Sequence, residues 1–339
     1  MRFGIIDHND DSGRPHGQQI EERLELIEAY DRLGFYAYHL TEHHGTPLGI
    51  TGSPHLMLAA AAGRTRRLRL GTLITILSLY HPMRIIEEAV TLDHLTGGRL
   101  DLGVGRGVSP AELAFHGVSG ETEAQERFDE AFEILRQGLT SDSVTFAGKH
   151  YTLSEAPIVS RPVQQPHPPL WYGTRTLAKA QWCARQGMPM MALVPSSQVR
   201  PLTDAYRAEW ASLGRASGDL PALGIARNVV LAPTNEEAMK IATRAFTRFS
   251  GSLFYLWKKY DITPPPVFPA DTFEGICATG HFYAGDPAGA RDWVGRHRDA
   301  GAISYMALET CFGDMTFGEA LQTAELLATE VMPHFSGGE

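Results

Sequence analysis

The chain has 339 residues, a hydrophobic fraction of 43% and a net charge of −9. This composition allows a large core and excludes a disordered chain, and the acidic balance argues against nucleic acid as a partner. Three cysteines without a framework spacing argue against a secreted disulfide scaffold. Residues 1–7 contain no apolar signal core, and no uncharged apolar run is long enough to span a membrane. We therefore expect a soluble, cytoplasmic protein.

Strand and helix patterns alternate through the first third of the chain. Gly34 stands where a helix-ending glycine belongs, and Ser53 followed by Pro54 is typical of a helix start. The short links between these elements favour a parallel sheet that is buried on both faces. The predicted strands are residues 3–6, 35–40, 68–76 and 100–104, and the predicted helices are residues 18–33, 53–63 and 82–95.

The same alternation resumes in the second half of the chain. About eight strand–helix units can be counted, which favours an α/β fold of the (β/α)8 TIM-barrel type over a doubly wound sheet. We predict one domain over residues 1–339, with insertions near 141–169 and 250–285 that act as functional loops or lids. The later predicted strands are 170–173, 190–194, 224–231 and 303–308, and the helices are 177–186, 199–213, 236–249, 288–300 and 317–331.

His39, Glu42 and His43 form an H-x-x-E-H pattern, which in zinc hydrolases requires two histidines one helical turn apart. The residues before it are strand-like and Gly45 follows it, so the context disfavours a helix and a zinc site. At the end of the second predicted strand, His43 would stand at the mouth of the barrel. There it could act as a general acid or base, or be a loop histidine without chemistry.

The glycine-rich segment 103–107 resembles a dinucleotide loop but lacks the third glycine, because position 108 is Val108. Glycines at a strand end leave room for a flat ligand, and Arg106 among them is suited to meet a phosphate. A packing role for these glycines with a surface arginine is equally consistent with the pattern.

Thr174, Arg175 and Thr176 stand where a predicted strand ends and a helix begins. The free amides at the start of a helix bind phosphate, and hydroxyl and guanidinium groups add further contacts. Alternatively, a threonine at this place serves only as the helix N-cap, which is the commoner role of such a residue.

Several short elements, taken together and in order, resemble bacterial luciferase and the wider luciferase-like flavin monooxygenases. Glu42-His43-His44 and the Gly-Arg-Leu-x-Leu-Gly element that begins at Gly98 are the most specific of them. The others are Met1-Arg2-Phe3-Gly4, Gly71-Thr72, His81-Pro82, Glu87 or Glu88, Leu92-Asp93, Arg106-Gly107, Trp182, Gln186-Gly187 and Val331-Met332-Pro333.

The resemblance implies a TIM barrel that binds FMN at its mouth, takes the reduced flavin from a separate flavin reductase, and uses O2 to oxygenate a small organic substrate. It implies that His43 is catalytic, and that a non-proline cis peptide lies beneath the flavin near residues 73–75. It also implies a homodimer formed through residues 54–63 and 82–95. The cofactor-binding residues that it implies are Leu73, Ile74, Arg106, Arg127 (across an alignment gap), Thr174, Arg175 and Thr176.

The chain departs from luciferase at two positions of the implied phosphate turn. Arg175 replaces a glutamate, and Lys179 lies near the position of a threonine. Residues of the aldehyde pocket have no clear match, so light emission and use of long-chain aldehydes are not implied. Three alternatives stay open: a deazaflavin-dependent oxidoreductase of the same superfamily, a non-catalytic flavin-binding paralogue, and a zinc hydrolase.

Overall fold

Eight parallel strands form a closed barrel in a computed structural model that describes residues 1–264 and 272–335. Neighbouring strands pair in chain order, and the last strand pairs with the first to complete the circle. The predicted (β/α)8 barrel is therefore confirmed. The barrel strands are β1 (Arg2–Asp7), β2 (Ala37–Leu40), β3 (Arg69–Ile76), β4 (Leu100–Gly105), β7 (Leu170–Thr174), β8 (Met190–Ala192), β9 (Leu223–Leu231) and β11 (Tyr305–Glu309).

Helices surround the barrel, and their apolar faces pack on the outside of the strands to form the main core. Within the described residues, no helix is long and apolar enough to cross a membrane. The helices are α1 (His16–Leu33), α2 (Pro54–Ala62), α3 (Pro82–Thr96), α4 (Pro110–Phe115), α5 (Gly120–Thr140), α6 (Leu177–Gln186), α7 (Val199–Ser212), α8 (Asn235–Leu253), α9 (Tyr255–Lys259), α10 (Phe273–Ala278), α11 (Pro287–Gly301) and α12 (Phe317–Leu326).

Most predicted helix boundaries are close to those observed, but the helix predicted over residues 236–249 continues to Leu253, and the sequence patterns did not indicate α5. The helix predicted over residues 317–331 is an α-helix only to Leu326 and then continues as a π-helical turn, Leu327–Val331. Ser53 precedes α2 as predicted, but its side chain makes no capping hydrogen bond. Gly34 ends α1 in the left-handed conformation at φ 83°, and its N–H donates to carbonyls of the last helical turn, as predicted.

The first predicted insertion packs on the outside of the barrel. Residues 141–169 form an antiparallel hairpin of β5 (Ser143–Ala147) and β6 (Thr152–Pro157), and none of these residues lines the cavity described below. The hairpin packs on α5, where Glu130 accepts from the amides of residues 149–151, and the hydroxyl of Tyr151 donates to the carbonyl of Tyr80 beyond the C-terminal end of β3 at 3.1 Å. That this insertion shields the mouth stays a prediction.

Residues 250–285 run from the end of α8 to the start of α11, and side chains from this segment line the cavity at the mouth. They contain α9, α10 and the extra strand β10 (Phe282–Gly285), which pairs with β9 outside the barrel. Residues 265–271 of this predicted insertion lie outside the described residues. The described part contributes side chains to the cavity at the mouth, and its role as a lid stays a prediction.

The glycines at the end of β4 have a packing role. The sequence pattern was consistent with this role and with ligand binding. A Cβ atom on Gly103 would lie 2.2 Å from the carbonyl oxygen of Thr72 on β3, and one on Gly105 would lie 2.2 Å from the Ile74 side chain. The register between β3 and β4 shifts between Thr72 and Thr75. These two glycines therefore make room for the irregular part of β3, and Gly105 also lines the cavity described below.

Candidate active site

A cavity of about 620 Å³ opens at the C-terminal ends of the barrel strands. This volume lies within the roughly 300–1,000 Å³ that is typical of small-molecule sites, and the position is the one where TIM barrels carry their chemistry. Polar side chains concentrate on two parts of its wall. We call these the cationic end, which comprises Arg106, Thr174, Arg175, Thr176 and Lys179, and the histidine wall, which comprises His8, His43, Glu112, Asn228 and Glu309.

The cationic end is built around the turn between β7 and α6. Thr176 is the N-cap of α6, and its hydroxyl accepts a hydrogen bond of 3.3 Å from the amide of Lys179. The hydroxyl of Thr174 accepts from the amide of Thr176 at 3.3 Å, which shapes the turn. The N-cap role weighed from the sequence is thus confirmed for Thr176, and the start of a helix nevertheless faces the cavity.

Two guanidinium groups share this end of the cavity. The Nε atom of Arg175 is buried and has no hydrogen-bond partner among the described residues. Burial lowers the pKa of Arg175, and the positive charge of Arg106 lowers it further, although Tyr172 acts in the opposite direction. Arg106 is held by Glu121, whose Oε2 lies 3.3 Å from its Nη1. An anion between the two arginines would satisfy the unpaired donor and relieve their repulsion.

The peptide bond between Leu73 and Ile74 is cis, one of the two places where the resemblance located a cis peptide. Both side chains line the cavity. They lie on β3, which is flanked by β2, the strand before His43, and by β4, the strand before Arg106. The irregular part of β3 therefore lies between the histidine wall and the cationic end.

His43 follows β2 and lines the cavity, as predicted. Its Nδ1 lies 3.2 Å from Oε1 of Glu112, and that same oxygen accepts a hydrogen bond of 2.8 Å from the amide of His44. Burial alone would raise the pKa of Glu112, but the hydrogen bond and charge of His43 and the amide of His44 outweigh it and lower that pKa. The ionised carboxylate thus orients the imidazole and leaves its Nε2 atom for a ligand.

His8 follows β1 and forms a second histidine–carboxylate pair. Its Nδ1 lies 2.7 Å from Oε1 of Glu309, the last residue of β11, and the other oxygen of Glu309 accepts from the Asn228 amide at 2.6 Å. Burial by itself would lower the pKa of His8, but the carboxylates of Glu309, Asp10 and Asp7 reverse the effect and raise it. The protonated form of His8 is therefore favoured by its surroundings.

The structure separates the residues of the H-x-x-E-H pattern. His39 points into the barrel, where its Nε2 lies 2.9 Å from the hydroxyl of Tyr305, and Glu42 contacts Nε2 of His44 at 2.7 Å. His43 instead pairs with Glu112 on another element. Burial lowers the pKa of His39 to about 3. In residues 1–264 and 272–335, no group of three His, Cys, Asp or Glu side chains is placed to hold a metal ion.

Arg127 lies outside the cavity lining, although the resemblance assigned it to the cofactor. It projects from α5 and pairs with Glu123 one turn earlier, with 2.7 Å between its Nη2 and the Glu123 Oε1. Gln125 of the same helix lines the cavity. Because residues two apart on a helix face nearly opposite directions, Arg127 is turned away from the site, and we leave it out of the proposed cofactor contacts.

An apolar roof covers the side of the cavity that faces the 250–285 insertion. It consists of Phe249 and Leu253 from α8, Leu256 and Trp257 from α9, and Ile276 from α10. Such side chains exclude water and strengthen the polar interactions beneath them. The cavity thus combines a place for an anion, two acid–base groups and an apolar cover.

The sequence patterns did not identify His8, Asn228, Glu309 or Glu112 as site residues. His8 and Glu309 lie at the C-terminal ends of β1 and β11, so the rule that chemistry gathers at these ends was the available signal. Glu112 lies on a short helix after β4 and carried no comparable signal, because its pairing with His43 depends on the tertiary structure.

Comparisons with known proteins place the chain in a family. The family model described as luciferase-like monooxygenase matches residues 1–314. The uncharacterized protein y4wF of Sinorhizobium fredii is 39% identical over 98% of this chain and 96% of that protein. The oxygenase component of the flavin-dependent trigonelline monooxygenase of Acinetobacter baylyi is 25% identical over 99% of this chain and 96% of its own length. The crystal structure of monooxygenase RslO1 from Streptomyces bottropensis matches with a TM-score of 0.88 and 28% identity, over 99% of this chain and 100% of that one. The chain therefore belongs to the luciferase-like monooxygenase family.

Proposed function

We propose that this protein is an FMN-dependent monooxygenase that uses reduced flavin and O2 to oxygenate a small organic substrate. A similar protein that spans nearly the whole chain is described as the oxygenase component of a flavin-dependent monooxygenase. By that likeness, a separate flavin reductase supplies the reduced cofactor. The cavity offers what such a reaction needs, namely an anion site, acid–base groups and an apolar cover.

The unpaired Nε of Arg175 is the observation that carries the assignment of FMN. A buried N–H without a partner is costly, and a phosphate dianion at the start of α6 would accept from it while neutralising Arg106 and Arg175. Thr174 and Thr176 place hydroxyl and amide groups at the same turn. Leu73 and Ile74 lie on β3 beside this end, where they would contact the ring of the flavin.

FMN, when bound, would supply the electrons and the activation of O2. The chain's own residues then control water and protons. The apolar roof keeps bulk water from the reacting atoms. His43 holds or accepts a proton at Nε2, while Glu112 keeps its Nδ1 protonated and its ring in position.

Titration of the purified chain with reduced FMN under anaerobic conditions tests this proposal. We expect saturable binding that is about tenfold or more tighter for FMN than for riboflavin, which lacks the phosphate. A reduced deazaflavin cofactor is titrated in parallel. Binding of the deazaflavin without binding of FMN would replace the proposal by the deazaflavin alternative, and binding of neither would contradict both.

We also propose a homodimer through the outer faces of α2 and α3. Leu56 on α2 is 73% exposed and Leu95 on α3 is 55% exposed, and both border the same surface depression. Exposed leucines that lie together favour an interface. Leu56→Glu should shift the protein from dimer to monomer in sedimentation velocity, whereas Val159→Glu, at an exposed valine of the hairpin insertion, should not. A monomeric wild-type protein would contradict the proposal.

A further inference from the structure

The two histidines of the cavity lie side by side, and each is held from behind by a buried carboxylate. The rings of His8 and His43 are nearly parallel, with 5.6 Å between their centroids and 22° between their planes. Each Nδ1 is engaged, by Glu309 and Glu112 respectively. Among the described residues, neither Nε2 atom has a hydrogen-bond partner. Rings this close can therefore contact neighbouring atoms of one small molecule.

The carboxylates determine which ligand group suits this pair. Glu309 and Glu112 are buried behind the rings, with side chains only 3% and 5% exposed. A ligand with a permanent negative charge would be repelled by both carboxylates, and a plain carbonyl would require both neighbouring rings to be protonated at once. A neutral O–H group of low pKa fits one donor ring and one acceptor ring, because its oxygen accepts from protonated His8 while its proton passes to Nε2 of His43.

The surroundings of the pair indicate that the rest of the ligand is apolar. Phe249 packs edge-to-face against His8, with 5.6 Å between the ring centroids. Leu253 and Leu256 extend the same apolar surface, and the cationic end is supplied by other strands, β4 and β7. Hydroxyl groups of low pKa on apolar frameworks are those of phenols and enols.

We propose that His8 is a second catalytic residue: His8 donates a hydrogen bond to the hydroxyl oxygen of a phenol or enol substrate, and His43 accepts the proton of that hydroxyl. The O–H bond breaks, an N–H bond forms at Nε2 of His43, and the electron pair remains on the oxygen, which accepts a hydrogen bond from Nε2 of His8. No oxidant or reductant takes part in this step. The negative charge spreads to the ortho and para carbons of a phenolate or to the β-carbon of an enolate, which prepares that carbon for the oxygen transfer of the proposed function, on which this inference rests.

Binding of 4-nitrophenol tests the inference without turnover, because its phenolate absorbs visible light and the neutral phenol does not. The full chain, with and without bound FMN, is added to the probe at a pH where the free probe is largely neutral. We expect a saturable rise in phenolate absorbance. Its methyl ether, 4-nitroanisole, should compete with the probe about tenfold more weakly or not at all, because it has no proton to give.

Variants assign the effect to the two histidines. His8→Gln and His43→Gln should each weaken phenolate binding about tenfold or more, as expected for loss of a hydrogen bond to an ion. Glu309→Gln serves as a second variant that preserves shape if His8→Gln does not fold, and it should have the same direction of effect. His94→Gln, at an exposed histidine of α3, should bind like the wild type.

The outcomes separate this inference from the proposed function. Equal competition by 4-nitroanisole, or unchanged binding in folded His8→Gln or Glu309→Gln, would overturn the role of His8. Binding of reduced FMN without any phenolate signal would also overturn it and leave the proposed function intact. A phenolate signal that depends on both histidines, without FMN binding, would support the inference and contradict the assignment of FMN.

Discussion

The cationic end and the histidine wall belong to one cavity but are built in different ways. The cationic end comes from the neighbouring strands β4 and β7 and mostly from one turn of the chain, and its arginine and lysine charges are nearly independent of pH. The histidine wall gathers residues from five separate segments, and its charge depends on where protons lie. The first region is suited to hold an anion, and the second to move protons. Substitutions should therefore affect cofactor binding and substrate chemistry separately.

The largest expected effect is that of His43→Ala on the chemistry. The substrate for this measurement is the one whose oxygenation consumes the largest share of the reduced flavin. Incorporation of isotopically labelled O2 into it should fall about 100- to 10,000-fold, the range typical of a lost acid–base group. Affinity for reduced FMN should stay within about twofold, because His43 lies outside the cationic end. Unchanged incorporation would show that His43 is not the acid–base residue.

Arg175→Gln should produce the opposite pattern. Loss of a charged hydrogen-bond donor to the phosphate should weaken binding of reduced FMN about 10- to 100-fold, while binding of riboflavin changes little. Arg185→Gln is the matched control, because Arg185 lies at the far end of α6, the helix that begins after Arg175, and pairs with Glu209 on the surface. If Arg175→Gln weakened riboflavin as much as FMN, the phosphate would have to bind elsewhere.

Glu309→Gln sharpens the comparison within the histidine wall. Removing the charge behind His8 should lower turnover about tenfold, with reduced FMN still bound within about twofold of the wild type. The measurements are stopped-flow turnover and an anaerobic FMN titration on the same preparation. A loss of FMN affinity as large as the loss of turnover would mean that the two regions are not separable.

The smallest expected effect concerns stability and its dependence on pH. The pKa of Glu112 is lowered in the folded protein, so its ionisation stabilises the fold above the unfolded-chain pKa of about 4.3, and this contribution is lost as the pH falls through the lowered pKa. Glu112→Gln should cost about 1–2 kcal/mol of unfolding free energy at neutral pH and less in acid.

Urea denaturation of wild type and variant at several pH values checks this expectation. The difference between the two proteins should shrink steadily as the pH falls below about 4. Glu25→Gln, at an exposed glutamate of α1, is the control and should show little change in stability. A difference for Glu112→Gln that is constant with pH would show that the charge of Glu112 does not contribute.

Local patterns explain most of what could be predicted from the sequence. Alternating strands and helices indicated the barrel, and the strand-to-helix turn at residues 174–176 was visible as a phosphate-binding pattern because its residues are neighbours in the chain. The cis peptide at Leu73–Ile74 was implied by the family resemblance rather than by local propensity. The resemblance assigned Arg127 of α5 to the cofactor, but Arg127 lies outside the cavity. The residue of this helix that lines the cavity is Gln125, two positions earlier.

The sequence by itself determined the succession of strands and helices, and with it the end of the barrel at which His43 and Arg175 appear, because these depend on residue spacing over short distances. Only the tertiary structure decided that Glu112 holds His43, that Glu309 holds His8, and that the two rings lie together. It also decided that the first insertion contributes no side chain to the cavity. These contacts join residues tens to hundreds of positions apart. They form only when the barrel closes, and patterns of neighbouring residues carry no information about that closure.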